Sequence, residues 1–200
     1  MIETPRLRLI PCELCHFETI LADHDQRQKQ LGQMLGVTVL DDSFDFPGVA
    51  SIETMRYLYK QLKADPDRLG WWTYLFVHLK NRALIGQGRY KGRADEAGMV
   101  EIGYAIVPSY RRRGLTTEAA QGLLDHAFSH APVKKVDAHT LAERNASVKV
   151  LEKAGIKFVG TTDDRDAGEV WRWSLQRADY RSARTERIKE RNCGTDTVFR

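Results

Sequence analysis

Hydrophobic periodicity predicts an α+β domain on a mixed central sheet, and three observations carry that prediction. Residues 71–79, 83–90 and 99–107 are rich in branched and aromatic side chains and are separated by short polar turns, the pattern of an antiparallel meander. Residues 115–130 repeat apolar positions at helical spacing and lead into a strand, a shorter helix and two further strands. With 200 residues, 42% of them hydrophobic, the chain has material for one substantial core and not for two. We therefore expect one domain over residues 1–176. Residues 177–200 are highly charged with little apolar periodicity and read as a tail, either partly helical or disordered.

Each element has a local cause. In residues 4–10, Leu7 and Leu9 alternate with Arg6 and Arg8, a strand with one buried face that Pro11 ends. Residues 13–34 are loosely helical, with Phe17, Ile20 and Leu21 apolar. A loop rich in Asp, Pro and Gly follows, and Ser51 is placed to cap a second helix carrying Ile52, Met55, Tyr59 and Leu62 until Pro66. The meander comes next; Gly86, Gly88 and Gly92 inside it mimic a dinucleotide fingerprint, but no helix follows to receive a pyrophosphate, so they read as strand glycines. The helix at 115–130 spans about four turns. Residues 133–140 form a strand, Asn145 or Ser147 caps the next helix, and Gly155 ends it in a left-handed conformation. Residues 156–161 and 169–175 close the order as two strands, making about seven in all.

Composition excludes several classes. The net charge of +4 suits anionic ligands but is too small to indicate nucleic acid, which is disfavoured as a partner. No apolar run reaches about eighteen residues and residues 1–11 lack a signal-peptide core, so neither membrane nor export is expected and the cytoplasm is the default. Cys12, Cys15 and Cys193 make no disulfide framework. Cys12-Glu-Leu-Cys15-His16 matches the letters of a haem or zinc motif, but haem attachment requires export and zinc two further ligands. It reads as two ordinary thiols beside a surface histidine, with no metal site.

The stretch from Val100 to Gln121, VEIGYAIVPSYRRRGLTTEAAQ, carries the chemistry. A strand with one acid, Glu101, runs through Pro108 and Arg111, Arg112 and Arg113 to Gly114, where a helix begins. Backbone amides and positive charge thus meet at a helix N-terminus beyond the end of a strand, a phosphate-binding arrangement. Gly114 lets phosphate oxygens approach the backbone.

Arg111-Arg-Arg-Gly114-Leu-Thr116 resembles the Arg/Gln-x-x-Gly-x-Gly/Ala acyl-CoA signature of the GNAT N-acetyltransferases, with Thr116 where that family has Gly or Ala. TPRLRLIP near the start, VEIGYAIVP before the signature and ASVKVLEKAGIKFVG after it are similar to the RimJ/RimL branch, in the same order, over about residues 4–176. The resemblance implies the GNAT fold: a mixed sheet with helices on both faces and a splayed strand pair that admits acyl-CoA. It implies acetyl-CoA as co-substrate, with the amides of Arg113, Gly114, Leu115, Thr116 and Thr117 on the pyrophosphate and Arg111, Arg112 and Arg113 supplying positive potential. Gly103 resembles the site of a β-bulge that splays the strand, and free amides of Ile106 and Val107 would face the pantetheine.

Amine acetylation requires loss of a proton from an ammonium, and an acid in an apolar strand suits that step, so Glu101 is the expected base, with a structural salt bridge as the other reading. His139 at a strand end is a second candidate. His126 and His130 read as surface residues. Relatives carry an Asn three residues before Ser147, where this chain has Arg144, so Asn145 would reach the pantetheine instead. The tyrosine that protonates the thiolate in many relatives is replaced by Leu151, leaving Ser147 as the nearest donor, or alternatively as a helix cap. Asp41, Asp42 and Asp45, with Trp71 and Trp72, read as an acidic loop beside core aromatics, or as an entrance for a cationic acceptor. The acceptor is expected to be a primary amine, either a protein N-terminus or a small molecule such as an antibiotic, polyamine or amino acid derivative. A non-catalytic acyl-CoA-binding module is the alternative of another class. A homodimer stays open.

Overall fold

The computed structural model describes residues 1–22, 24–40, 51–165 and 167–182. Strand β4 (Thr73–His78) is buried on both faces, which is why TYLFVH lacks polar alternation. Tyr74 and Phe76 point into a core completed by Leu115, Leu123, Val148 and Leu151, from helices α4 (Leu115–Ser129) and α5 (Ala146–Ala154). Leu75 and Val77 point the other way, into a core with Phe17, Leu31 and Met55 from α1 (Leu14–Ile20), α2 (His24–Leu35) and α3 (Ile52–Ala64). Helices thus cover both faces of one α+β sheet.

That sheet runs β1 (Ile2–Glu3), β2 (Leu7–Pro11), β4, β5 (Ala83–Tyr90), β6 (Met99–Ile106), β7 (Lys135–Leu141), β9 (Gly168–Gln176), β8 (Lys157–Asp164), with β3 (Thr38–Val39) beside β5. The meander of β4, β5 and β6 is antiparallel, whereas β6 and β7 are parallel. The expectation of about seven strands becomes nine among the described residues because β1 and β3 are two residues each, too short to leave a period. Likewise, residues 13–34 divide into α1 and α2.

Local signals resolve cleanly. Ser51 accepts the Thr54 amide at 3.1 Å, Asn145 rather than Ser147 caps α5, and Gly155 ends it at φ +85°. Gly88 is required by packing: a Cβ there would lie 2.4 Å from Phe76. Beyond Gln176 the chain continues as helix over 177–182, and the Arg177 guanidinium donates to the carbonyls of Phe128 (2.6 Å), His130 (2.5 Å) and Val133 (2.7 Å), holding the C-terminus of α4. The acidic loop with Asp41, Asp42 and Asp45, together with Cys193 and the rest of the tail, lies outside the described residues.

Three histidines differ from expectation. His16 is buried, and its Nδ1 accepts the Glu13 amide at 3.0 Å. His126 and His130 are half-buried against Trp71, Tyr74 and Tyr90, with the Tyr90 hydroxyl 3.2 Å from His126 Nδ1. Their side of α4 meets the aromatic end of β4 and β5 instead of solvent. Burial, then the neighbouring His130 and the chain's N-terminal amine, push His126 down to about 4.

Candidate functional site

A crevice opens where β6 leaves β7. The two pair only from Met99↔Lys135 to Glu101↔Asp137, whereas β6 follows β5 as far as Gly86↔Ile106, and β7 is held by β9 along its whole length. Lys91 donates to Glu101 O and Val107 to Ile85 O, each at 2.9 Å, so residues 101, 103, 105 and 107 bond toward β5. By the same alternation, the amides of Ile102, Tyr104 and Ile106 point toward β7. Val107 therefore does not offer the free amide expected of it. The β5–β6 register also holds without a shift, so the splay needs no bulge at Gly103. It arises because β6 is bound to one neighbour and β7 to another.

Parallel β6 and β7 end at the same edge, and α4 and α5 both start there. After β6 the chain turns at Pro108–Tyr110 and passes Arg112 at φ +59° and Gly114 at φ +75°. Gly114 caps α4 without a side chain, and a Cβ there would meet only Arg6 Nη2, at 3.5 Å. The first bond of the helix is Glu118 N to Gly114 O (3.1 Å), so the amides of Leu115, Thr116 and Thr117 precede the hydrogen-bonded ladder and project from its positive end. The Leu115 side chain is in the core, whereas Thr116 and Thr117 are half-buried. Arg111 Nε bonds Ile106 O at 3.1 Å, Arg113 lies 5.1 Å over the Tyr110 ring, and Arg112 is exposed.

The corner is held from the chain's start, a tie that sequence reasoning missed. Glu118 accepts Thr4 Oγ1 (2.7 Å), the Arg6 amide (2.7 Å) and Arg6 Nε (2.6 Å), and Arg6 Nη1 bonds Arg113 O (2.9 Å). Burial raises the pKa of Glu118, but these hydrogen bonds and the Arg6 charge outweigh it and hold the carboxyl below its ordinary range. At the other corner, Asn145 Oδ1 accepts the amides of Ser147 (2.9 Å) and Val148 (3.2 Å), which leaves its amide nitrogen for a ligand and leaves the Ser147 hydroxyl out of the cap. Leu151 is buried in the core.

On the face of the sheet away from α4, Glu101 meets residues that the sequence kept apart. Its side chain is 16% exposed, with Lys91 Nζ at 2.5 Å and His139 Nδ1 at 2.9 Å. The two candidate bases are thus one hydrogen-bonded pair, and Lys91, read as a turn residue, completes it. Beside them Asp137 accepts Ser174 Oγ at 2.6 Å and lies 3.6 Å from Lys135. Buried side-chain polar atoms without a hydrogen-bond partner include Trp72 Nε1, Thr73 Oγ1, both ends of Gln87 and the Tyr104 hydroxyl. Burial raises the Tyr104 pKa, so at neutral pH it holds its proton. Among the described residues, no group of His, Cys, Asp and Glu gathers into a metal site, and no helix is long and apolar enough to cross a membrane.

A family model described as an acetyltransferase (GNAT) domain matches residues 6–157. The uncharacterized N-acetyltransferase YjdG of Bacillus subtilis is 30% identical over 155 residues, 78% of this chain and 88% of that protein. Among solved structures, RimL, a ribosomal L7/L12 alpha-N-protein acetyltransferase in complex with coenzyme A, superposes with a TM-score of 0.61 at 17% identity, covering 86% of this chain and 95% of that one. Spermidine N-acetyltransferase from Vibrio cholerae, in complex with CoA and spermine, gives 0.60 at 16%, covering 88% and 99%.

Proposed function

The chain belongs to the GNAT acetyltransferase family, and from that premise we propose that it moves an acetyl group from acetyl-CoA to a primary amine by direct attack in a ternary complex. One observation carries the reading: a strand edge with unpaired amides opens beside the N-termini of two helices. Such a place suits a ligand with an amide-bearing arm and a pyrophosphate.

Acetyl-CoA would supply the acetyl group as an activated thioester. The amides of Arg113, Gly114, Leu115, Thr116 and Thr117 would hold its pyrophosphate, with the arginines at 111–113 adding positive potential and the Thr116 or Thr117 hydroxyl a further bond. The Asn145 amide nitrogen and the inward amides of Tyr104 and Ile106 would hold the arm. Glu101, acting with His139 at 2.9 Å, takes the proton of the acceptor ammonium, and Lys91, at 2.5 Å, holds the carboxylate in place. Ser147 gives a proton to the departing thiolate, and the unpartnered Tyr104 hydroxyl is a second donor. A thiolate with a pKa of about 8.5 needs little help. A protein N-terminus is the first acceptor class by likeness to the RimJ/RimL branch, and a small amine the second. The cytoplasm is the compartment this reading assumes, and a homodimer is compatible with it.

Thermal shift and thiol release with acetyl-CoA and amines from peptides to polyamines test this. Stabilisation by CoA with thiol release on an amine is expected. Stabilisation without release on any acceptor would favour a binding module, and no stabilisation by CoA would overturn the proposal.

A further inference from the structure

We infer that Arg89, with Gln87 and Thr73, forms a binding site for a carboxylate of the acceptor, so that the preferred substrate is a primary amine bearing an acid group. The inference rests on the acetyltransferase reading and deepens it. Register places the parts. Arg89 lies between Thr73 on β4 and Gly103 on β6, Gln87 is two residues along β5, and alternation puts all of them on the face that carries Glu101. Glu101 is the diagonal cross-strand neighbour of Arg89, roughly 7–8 Å away along the backbone.

Two other half-buried arginines are held by several partners: Arg177 meets three carbonyls and Arg68 meets Asp65 and Gln61. Arg89 is also half-buried, yet its guanidinium makes no hydrogen bond or ion pair among the described residues. Its pKa falls through burial, with the Glu101 charge opposing, and Glu101 is already engaged by Lys91 and His139. Next to it, Gln87 is only 1% exposed with both amide atoms unpartnered, and Thr73 Oγ1 is unpartnered too. Leaving a cation and three buried polar atoms unsatisfied is costly, and a carboxylate that accepts from the guanidinium, from Gln87 Nε2 and from Thr73 Oγ1 recovers the part of that cost that falls on these donors.

The space and the charge select the ligand. Gly103 faces Arg89 across the ladder, and a Cβ there would meet nothing within 4 Å. A guanidinium fork flanked by an amide and a hydroxyl matches the two oxygens of a carboxylate. Lys91, Lys135 and Arg172 share the face, and its acids Glu101 and Asp137 are both paired, which opposes a polycation. With the amine at Glu101, the acid group lies a few bonds away. A free amino acid meets this, as does an acidic residue next to a peptide N-terminus.

The test compares β-alanine with β-alaninamide, and the dipeptide amide Ala-Glu with Ala-Gln, in kcat/KM for acetylation and in calorimetric binding to the CoA-bound protein. Each acid should surpass its neutral partner by at least about tenfold. Arg89→Gln should erase the preference through KM, Arg89→Lys should restore part of it, and CoA stabilisation of both variants verifies their folding. β-Alanine alone showing the preference assigns the free acid, and Ala-Glu alone assigns the peptide. Equal use of acids and amides by the unaltered protein, or a preference that survives Arg89→Gln, would overturn the carboxylate site while leaving the acetyltransferase reading intact. If no amine is acetylated, that reading fails, and a calorimetric preference for acids that Arg89→Gln removes still supports the site.

Discussion

Replacing Glu101 with Gln keeps the shape and an acceptor oxygen for Lys91 and His139 but removes the carboxylate that, on the proposed mechanism, draws off the proton. The loss at neutral pH should be about 10²–10⁴-fold, the ordinary worth of a general base. Its pH dependence is more telling. An α-amine with a pKa of about 8 is about one-tenth free at pH 7, and an alkylamine near 10.4 is free in only about one molecule in 2500. Without a base only that fraction reacts, so the variant should gain about tenfold per pH unit up to the amine's pKa while the unaltered enzyme rises less steeply. Stability should barely change, because Lys91 is 47% exposed and such a pair contributes at most about 1 kcal/mol, or about 2–4 °C in Tm for a domain of this size. Steady-state thiol release from pH 6 to 10, with thermal melts alongside, reads both quantities. A rate equal to that of the unaltered enzyme at every pH would remove Glu101 from the base role. A deficit that high pH does not relieve, accompanied by a drop in Tm beyond those few degrees, would make the ion pair structural.

Gly114→Ala should cost about 1–2 kcal/mol of stability from the left-handed φ of +75°, and calorimetry should show CoA binding weakened by about tenfold or more as the new Cβ meets the phosphate. Arg177→Ala removes three bonds to carbonyls at the C-terminus of α4 and in the turn just beyond it, and urea unfolding should show a loss of about 2–3 kcal/mol; less than about 0.5 kcal/mol would mean water replaces the guanidinium. For His126, the folded pKa of about 4 lies below the ordinary value near 6.5, so the unfolded chain takes up its proton first. Stability from this group is full above about pH 6.5 and declines as pH falls toward 4, with His16 and His78 acting in the same direction. His126→Gln should flatten that part of a Tm-against-pH curve, and an unchanged slope would rule the residue out.

What was legible in the sequence was set within a turn or two of chain. The amphipathic face of α4, the caps at Ser51 and Asn145, the left-handed stop at Gly155 and the amide-rich corner at Gly114 each follow from neighbouring residues competing for the same backbone groups. The family signature is of that kind, which is why the strand, the arginine-rich turn and the start of α4 were readable from residues 100–121. Register was not. Which of Ile106 and Val107 turns its amide to the crevice depends on how β6 aligns with β5, and one residue of slip exchanges them.

The sequence by itself determined the class of the fold, the order of its longer elements and the start of a helix at Gly114, because those rest on short-range hydrogen bonding and periodicity. Only the tertiary structure decided the partners. It brought Lys91 and His139 to Glu101, set Glu118 against Thr4 and Arg6, half-buried His126 among aromatics, and left the Arg89 side chain without a hydrogen bond or ion pair among the described residues, beside an open glycine. These contacts join strands and helices far apart in the chain, and the burial that gives each polar group its energy exists only once the sheet has closed under its helices.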